Sequence, residues 1–276
     1  MPECKTIAVS HEKGGVGKTT TTVNLGIGLA RQGKRVLLVD ADPQGDLTKC
    51  LGIANPQELT LTLAAAMNSV ISETAFDPRS VILRHQEGVD FIPANADLAA
   101  IETTLVTTME IDRRCVLRDY LGLVRDDYDY VLIDCRPSLG LTVINALAAA
   151  DSVIIPVQAH TLAADDMDGL FKTVGRIKKS ANHGLKIDGV VMTMVDSRTN
   201  LARNTIREVR GRYGSVVRVF NAEIPYAVRA AEVPSKGQSI YTYDPNGKVA
   251  QAYEALTKEV LVLAERERKP RDNDAR

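Results

Sequence analysis

Short apolar runs recur along the chain, at 6–10 (Thr6-Ile7-Ala8-Val9-Ser10), 35–39 (Arg35-Val36-Leu37-Leu38-Val39), 88–93, 128–134, 152–157 and 187–195. Each is apolar over consecutive positions, the pattern of a strand covered on both faces. Between them the apolar positions change to helical spacing. Val23, Ile27 and Ala30 mark a helix from Thr19 to Gln32, and further helices are predicted over 60–70, 96–108, 111–124, 162–179, 199–213 and 248–266. Pro225, Pro234 and the turn Tyr243-Asp244-Pro245-Asn246-Gly247 interrupt the pattern before the last helix. Strand and helix alternating end to end predict an α/β fold, a doubly wound, mainly parallel sheet with helices on both faces. One domain is expected over 1–266, with a polar, frayed C-terminal tail at 267–276.

The junction of the first strand and first helix reads His11-Glu12-Lys13-Gly14-Gly15-Val16-Gly17-Lys18-Thr19-Thr20. Strand, glycine-rich loop, helix is the context of a phosphate-binding loop. Backbone N–H groups and the helix N-terminus converge there and favour an anion. The glycines let the chain curl around a phosphate where a Cβ would clash. Lys18 can reach the β- and γ-phosphates of a nucleotide, and the Thr19 hydroxyl can ligate Mg²⁺. The usual spacing G-x-x-x-x-G-K-[ST] would place a glycine at position 12, which is Glu12, and a second lysine, Lys13, opens the loop. A lysine at that place need not fold onto its own nucleotide and can face one held by another subunit. The bland alternative is a glycine-rich turn with no ligand.

Two acidic stretches follow strands. Asp40-Ala41-Asp42-Pro43-Gln44-Gly45 ends the second strand, and puts two carboxylates where Mg²⁺ and an attacking water belong; alone it would equally be a solvated turn. Tyr128-Asp129-Tyr130-Val131-Leu132-Ile133-Asp134 is a hydrophobic strand ending in aspartate, the Walker B arrangement, with Asp134 expected to hold Mg²⁺ through water. The Pro137, Ser138 and Gly140 that follow form a loop able to sense a γ-phosphate. Nothing between 47 and 128 carries chemistry beyond packing.

Composition narrows the class. The 276 residues are 45% hydrophobic and 25% charged, as in a globular protein with a substantial core. Cys4, Cys50, Cys115 and Cys135 show no C-x-x-C spacing and read as reduced thiols of a cytosolic protein. The four histidines form no metal motif, the N-terminus shows no signal peptide, and no apolar run approaches the ~20 residues that span a bilayer. The formal net charge is -1, yet between Lys172 and Arg218 eleven basic residues face three acids. Arg203, Arg207 and Arg210 share one helix face by spacing. Such an excess fits a phosphate-backbone footprint, with a solvated face as the alternative, and no base-reading motif accompanies it.

Taken together these stretches resemble the ParA/Soj/MinD ATPases. Lys13-Gly14-Gly15-Val16-Gly17-Lys18-Thr19-Thr20 looks like their deviant Walker A box, Asp40 to Gly45 like switch I, and Asp134-Cys135-Arg136-Pro137-Ser138-Leu139-Gly140 like switch II. Thr193 to Asn200, Ile224-Pro225 through Val228-Arg229, Glu232-Val233-Pro234 and Tyr243-Asp244-Pro245 resemble the ParA/Soj branch, so the likeness runs from Lys5 to about Leu263.

The resemblance implies a Mg²⁺-dependent ATPase that partitions DNA. ATP would drive a sandwich homodimer in which Lys13 reaches the other subunit's phosphates. The dimer would bind double-stranded DNA without sequence preference, and a ParB-type centromere-binding protein would stimulate hydrolysis and release. Basal hydrolysis would be slow. The catalytic residues carried over are Lys13, Lys18 and Asp42, with Asp42 supporting the attacking water. Thr19, Asp42 and Asp134 would serve the metal, Met194 and Pro225 the adenine, and Arg198 and Arg229, joined by Arg203 and Arg207, the DNA. The location implied is cytoplasmic, nucleoid-associated when ATP is bound, without stable membrane association. Three positions depart from the family pattern: Arg136 replaces a proline, Tyr226 an arginine, and His11-Glu12 the usual Asn-Gln. Two other readings compete. A MinD-like positioning ATPase would need a lipid-inserting last helix, and the short run Val260 to Ala264 suits core packing better. An electron-transfer protein like the nitrogenase iron protein would need a second cysteine beside Cys135.

Overall fold

The computed structural model describes residues 4–107, 112–138, 140–160 and 163–273. Thr108, Ile111, Leu139 and Leu162, which bound elements or motifs read from the sequence, lie outside them. The chain runs β1 (Lys5–Val9), α1 (Lys18–Arg31), β2 (Val36–Ala41), α2 (Asp46–Cys50), α3 (Leu63–Ile71), β3 (Leu83–Arg84), β4 (Asp90–Ile92), α4 (Asp97–Thr107), α5 (Val116–Leu121), β5 (Tyr130–Cys135), α6 (Leu141–Ala149), β6 (Ser152–Gln158), α7 (Ala163–Ser180), β7 (Lys186–Val195), α8 (Asn200–Tyr213), β8 (Val219–Pro225), α9 (Val228–Glu232), α10 (Ile240–Tyr243) and α11 (Lys248–Asn273).

The strands form one sheet in the order β3-β4-β2-β5-β1-β6-β7-β8, parallel throughout except for the antiparallel β3–β4 pair. Side chains alternate across it as the pleat requires. On β2, Val36 and Leu38 face one layer while Leu37, Val39 and Ala41 face the other; on β5, Tyr130 and Leu132 oppose Val131, Ile133 and Cys135. The first layer draws on α1, α2, α10 and α11, the second on α3 to α8. Both faces are therefore dry, which explains the unbroken apolar runs. Leu25, Ile27 and Leu29 of α1 are fully buried, each contributing about 1.5–3 kcal/mol.

The expected α/β architecture is present, with differences in its parts. β2 continues past Val39 to Ala41, so Asp40 belongs to the strand. The helix read over 111–124 shortens to α5, because the Asp112 carboxylate takes the Arg114 N–H at 3.1 Å and turns the chain just before it. β3, α2, α6, β8, α9 and α10 have no counterpart among the elements read from the sequence. The last helix extends to Asn273 rather than ending at Arg266. Its extension carries an anchor. Glu267 accepts from Lys5 Nζ at 2.9 Å and lies 3.5 Å from Lys186 Nζ, and Lys5 also pairs with buried Asp188 at 2.8 Å.

Candidate functional site

β1 lies between β5 and β6, and the loop after it opens at the C-terminal ends of the strands, where open α/β sheets bind ligands. Gly15 and Gly17 have φ of 72° and 86°, left-handed values that bend the loop back into α1. α1 starts at Lys18, so its unpaired N–H groups point into the bend. The Thr193 hydroxyl donates to the Val16 carbonyl at 2.8 Å and ties the loop to β7. Lys18 is buried and its Nζ donates to the Lys13 carbonyl at 2.8 Å. Burial pulls its pKa down, and Asp134 offsets part of that.

His11 and Glu12, departures at the sequence level, have structural work. His11 Nδ1 accepts the Lys13 N–H at 2.9 Å, and Glu12 Oε1 accepts from the Thr173 hydroxyl on α7 at 3.0 Å. Both fasten the start of the loop. Lys13 is half-buried, with Nζ 2.7 Å from His160 Nε2 just beyond β6. The lysine expected to face outward lies against its own chain here. Nothing in the sequence distinguished His160 as its neighbour.

The acids divide by role. Asp40 and Asp134 are register partners on β2 and β5, and both are buried. Asp40 accepts from the Thr48 N–H at 2.9 Å, the Thr48 hydroxyl at 2.6 Å and the Asp42 N–H at 3.2 Å. Burial still pushes its carboxyl up to about 7. Asp134 is poorer: among the described residues Oδ2 is buried without a hydrogen-bond partner, the Thr22 hydroxyl is 3.5 Å from Oδ1, and the Thr19 hydroxyl is its other polar neighbour. Burial first, then the Asp40 charge, raises its pKa well above the carboxylate range. An orphaned buried oxygen beside Thr19 fits a hard, hydrated cation such as Mg²⁺. Among the described residues no group of three or more His, Cys, Asp or Glu gathers into a metal cage. Asp42 is half-buried and accepts the Gln44 N–H at 3.0 Å. It shares a cavity of about 580 Å³ with Gly15, Lys18, Thr19, Thr20 and Arg136. The Cys135 side chain, by contrast, packs in the core at 1% exposure.

Beside this cavity is a cleft of about 100 Å³, largely apolar, whose walls include Met194, Ile224, Pro225, Val249 and Tyr253. Met194 has φ of 50°. A non-glycine residue held there stores on the order of 1–3 kcal/mol, a strain common at ligand sites. Met194 borders both spaces, and Gly17 and Thr20 join the phosphate loop to the cleft. The predicted pair Met194 and Pro225 thus lines one cleft, which adjoins the phosphate loop through Gly17 and Thr20.

The basic residues separate into two kinds. Arg198, Arg203, Arg207 and Arg229 are exposed. Val195 and Pro225 are register partners, and the Tyr226 N–H donates to the Val195 carbonyl at 3.1 Å, so the stretches leading to Arg198 and Arg229 leave the sheet side by side. Each of these two arginines is held by an aspartate, Arg198 by Asp196 at 2.8 Å and Arg229 by Asp244 at 2.9 Å. The Arg198 contact holds the Asp196 carboxyl down at about 2. Arg203 and Arg207 bond near neighbours in the chain, Arg203 the Asn200 side chain at 2.7 Å and the Ser197 carbonyl at 3.4 Å, and Arg207 the Asn204 side chain at 3.2 Å. Arg210 does not join their surface. Its guanidinium donates to the Phe220 carbonyl at 3.0 Å and to Glu223 at 3.3 Å, fixing α8 to β8.

The profile of a family described as an AAA domain matches residues 4–187. The sporulation initiation inhibitor protein Soj of Bacillus subtilis is 45% identical over 260 residues, 93% of this chain and 98% of that protein. The chromosome partitioning protein ParA of Caulobacter vibrioides is 40% identical over 259 residues, 93% of this chain and 94% of that protein. A solved structure from Mycobacterium smegmatis, described as cobyrinic acid a,c-diamide synthase with bound ADP and magnesium, is 34% identical, covers 94% of both chains and superimposes with a TM-score of 0.80. The two partitioning proteins match at higher identity than the M. smegmatis chain.

Proposed function

This chain belongs to the ParA/Soj family of partitioning ATPases, and from that membership we propose an ATP-switched DNA-binding cycle for it. The observation that carries the reading is a shared end of the sheet. The phosphate loop leaves β1, and the arginine-bearing stretches leave β7 and β8, all at the strands' C-terminal ends. A change in nucleotide is therefore felt next to the surface that would hold DNA.

In this reading the phosphates lie on Lys13 to Thr20 and the adenine enters the cleft between Met194 and Pro225. Thr19, Asp42 and Asp134 hold Mg²⁺, which when bound neutralises charge on the phosphates. Lys18 leaves the Lys13 carbonyl for the phosphates, and Asp42 orients the attacking water. Lys13 leaves His160 for the nucleotide of a second copy, which makes ATP the glue of a homodimer. The dimer pools two sets of Arg198, Arg203, Arg207 and Arg229 on double-stranded DNA. Doubling the phosphate contacts Z doubles a salt slope of ~0.9Z, so a monomer binds weakly and a dimer tightly. Hydrolysis, stimulated by a ParB-type partner, then acts as release, and the ATP form is the one associated with the nucleoid.

A membrane-positioning role is less well supported. Leu256, Val260 and Ala264 of α11 are buried in the core, so these apolar residues are not offered to lipid. No helix among the described residues is long and apolar enough to cross a membrane.

Binding to non-specific duplex DNA with ATP, with ADP and without nucleotide, at two salt concentrations, tests the cycle. Salt-sensitive binding with ATP alone, lost in Arg198→Ala and Arg229→Ala, is expected. Binding absent under every condition would overturn the DNA reading.

A further inference from the structure

We propose that Arg136 is an additional contact for the terminal phosphate of ATP, held at the wall of the phosphate cavity by Glu102, and that it makes the site distinguish ATP from ADP. The proposal rests on the ATPase reading of that cavity.

Arg136 follows directly on β5, one residue after Cys135 and two after Asp134. Its side chain is 29% exposed and lines the cavity with Gly15, Lys18, Thr19 and Asp42. Nη1 donates to Glu102 Oε2 at 3.0 Å, with the glutamate 26% exposed. Glu102 stands on α4, and Ala99, one turn before it, borders the same cavity. The other carboxylate oxygen, Oε1, accepts from the Thr142 N–H at 3.2 Å and the Thr142 hydroxyl at 2.8 Å, at the start of α6. One carboxylate therefore grips both ends of the segment from Arg136 to Thr142. Gly140 admits it: a Cβ there would collide with Glu102 Oε1.

The arrangement is that of a charge kept ready. A guanidinium has five N–H donors in a planar fork, and Glu102 occupies one nitrogen. The rest can bind a second anion, and phosphate matches the fork as carboxylate does. The pair is partly desolvated, so its electrostatics are stronger than those of a surface pair. ADP lacks the phosphoryl group that Arg136 would meet. During hydrolysis the water oxygen bonds to the γ-phosphorus and its proton passes to a γ oxygen, the bridging bond breaks with its electrons leaving on ADP, and charge on the γ oxygens is where a cis arginine acts. Glu102 is a positioning residue, because it acts only through Arg136 and Thr142.

The test compares binding of ADP and of the slowly hydrolysed analogue ATPγS, together with steady-state ATPase rates, in three variants of the whole chain. Arg136→Ala is expected to weaken ATPγS about tenfold, leave ADP within about twofold and lower kcat at least ~10-fold, below the 10³–10⁵ of a fully committed arginine because Glu102 shares this one. Arg136→Lys should restore part of the preference for ATPγS. Glu102→Gln keeps an oxygen for Thr142 while removing the anionic hold, and should tighten ATPγS and raise the basal rate. Arg136→Ala with an unchanged ATPγS-to-ADP ratio and kcat would overturn the proposal. So would equal weakening of both nucleotides with a lowered melting temperature, the signature of a purely structural role. A wild-type chain that bound neither nucleotide would overturn the ATPase reading itself, a separate outcome.

Discussion

Asp40 and Asp134 stand opposite each other across β2 and β5, Asp40 with its oxygens satisfied by Thr48 and Asp42 and Asp134 with one oxygen buried and unpaired. The difference separates support from function. Asp40→Ala would strand the Thr48 and Asp42 donors and should lower stability by at least ~2 kcal/mol in urea unfolding. Asp134→Asn removes an unsatisfied buried carboxyl and its repulsion with Asp40. It should leave the melting temperature unchanged or higher while weakening Mg²⁺-dependent nucleotide binding at least ~10-fold. Equal destabilisation by both variants would contradict this division.

Among the described residues the Asp42 carboxylate accepts one hydrogen bond, the local one from the Gln44 N–H, and the backbone bonds of Asp42 to Asp40 and Gly45 survive a change of side chain. Asp42→Ala should therefore fold normally, bind ATP, and lose hydrolysis by ~10²-fold or more, trapping the ATP dimer on DNA. Phosphate release and DNA retention, measured together, check it. Hydrolysis at the wild-type rate would reassign the water-orienting role.

Lys13 contributes its carbonyl to Lys18 and its ammonium to His160. Lys13→Ala keeps the carbonyl. We expect it to bind nucleotide as a monomer but to lose ATP-dependent dimerisation, read by light scattering on a sizing column. Lys18→Ala should instead abolish nucleotide binding. A Lys13→Ala chain that still dimerised with ATP would place the bridging contact elsewhere.

On the proposed DNA surface, Asp196 and Asp244 compete with DNA phosphates for Arg198 and Arg229. Exposed ion pairs are weak, so Asp196→Asn and Asp244→Asn should each tighten ATP-dependent DNA binding about two- to fivefold. Anisotropy titrations with a random duplex measure the effect. Weaker binding in either variant would mean that the aspartate positions its arginine rather than occupying it.

The cysteines give a test of packing. Burial pushes the thiols of Cys4 up to about 11 and of Cys50 and Cys135 up to about 12, and also raises that of Cys115. Thiolate is the reactive form, so the folded chain should resist disulfide-exchange reagents at pH 8 and react at all four sites in urea. Fast labelling of any of them without denaturant would show that its layer opens readily.

The phosphate loop, switch I and the end of β5 were legible because their chemistry is local. A strand, a loop and a helix in sequence place Lys18 and Thr19, and an apolar strand run closing on an acid places Asp134, without knowledge of distant partners. The roles of His11 and Glu12 were not legible, since they depend on a lysine backbone bond and on Thr173, far away in the chain. Glu102 was hidden for the same reason: it lies in a stretch whose short elements follow packing, and meets Arg136, 34 residues further on, only in the folded chain. Asp40 and Asp42 looked alike as two acids in one motif, and only the end of β2 decides that the first points into the interior. The basic run from Lys172 to Arg218 misled in part, because charge counting cannot see that Arg210 is spent on β8 and Arg212 on Asp168.

The knot of Lys5, Asp188 and Glu267 sits where β1 begins, at the opposite pole from the phosphate loop. The molecule thus has a fixed pole and a working pole. Lys5 and Glu267 are fastened at the first, so an affinity handle carried near Glu267 would sit on the side away from the phosphate loop. Motion of the ATP cycle watched through such a handle would report the whole body turning, whereas a dye near Arg198 would report the switch itself.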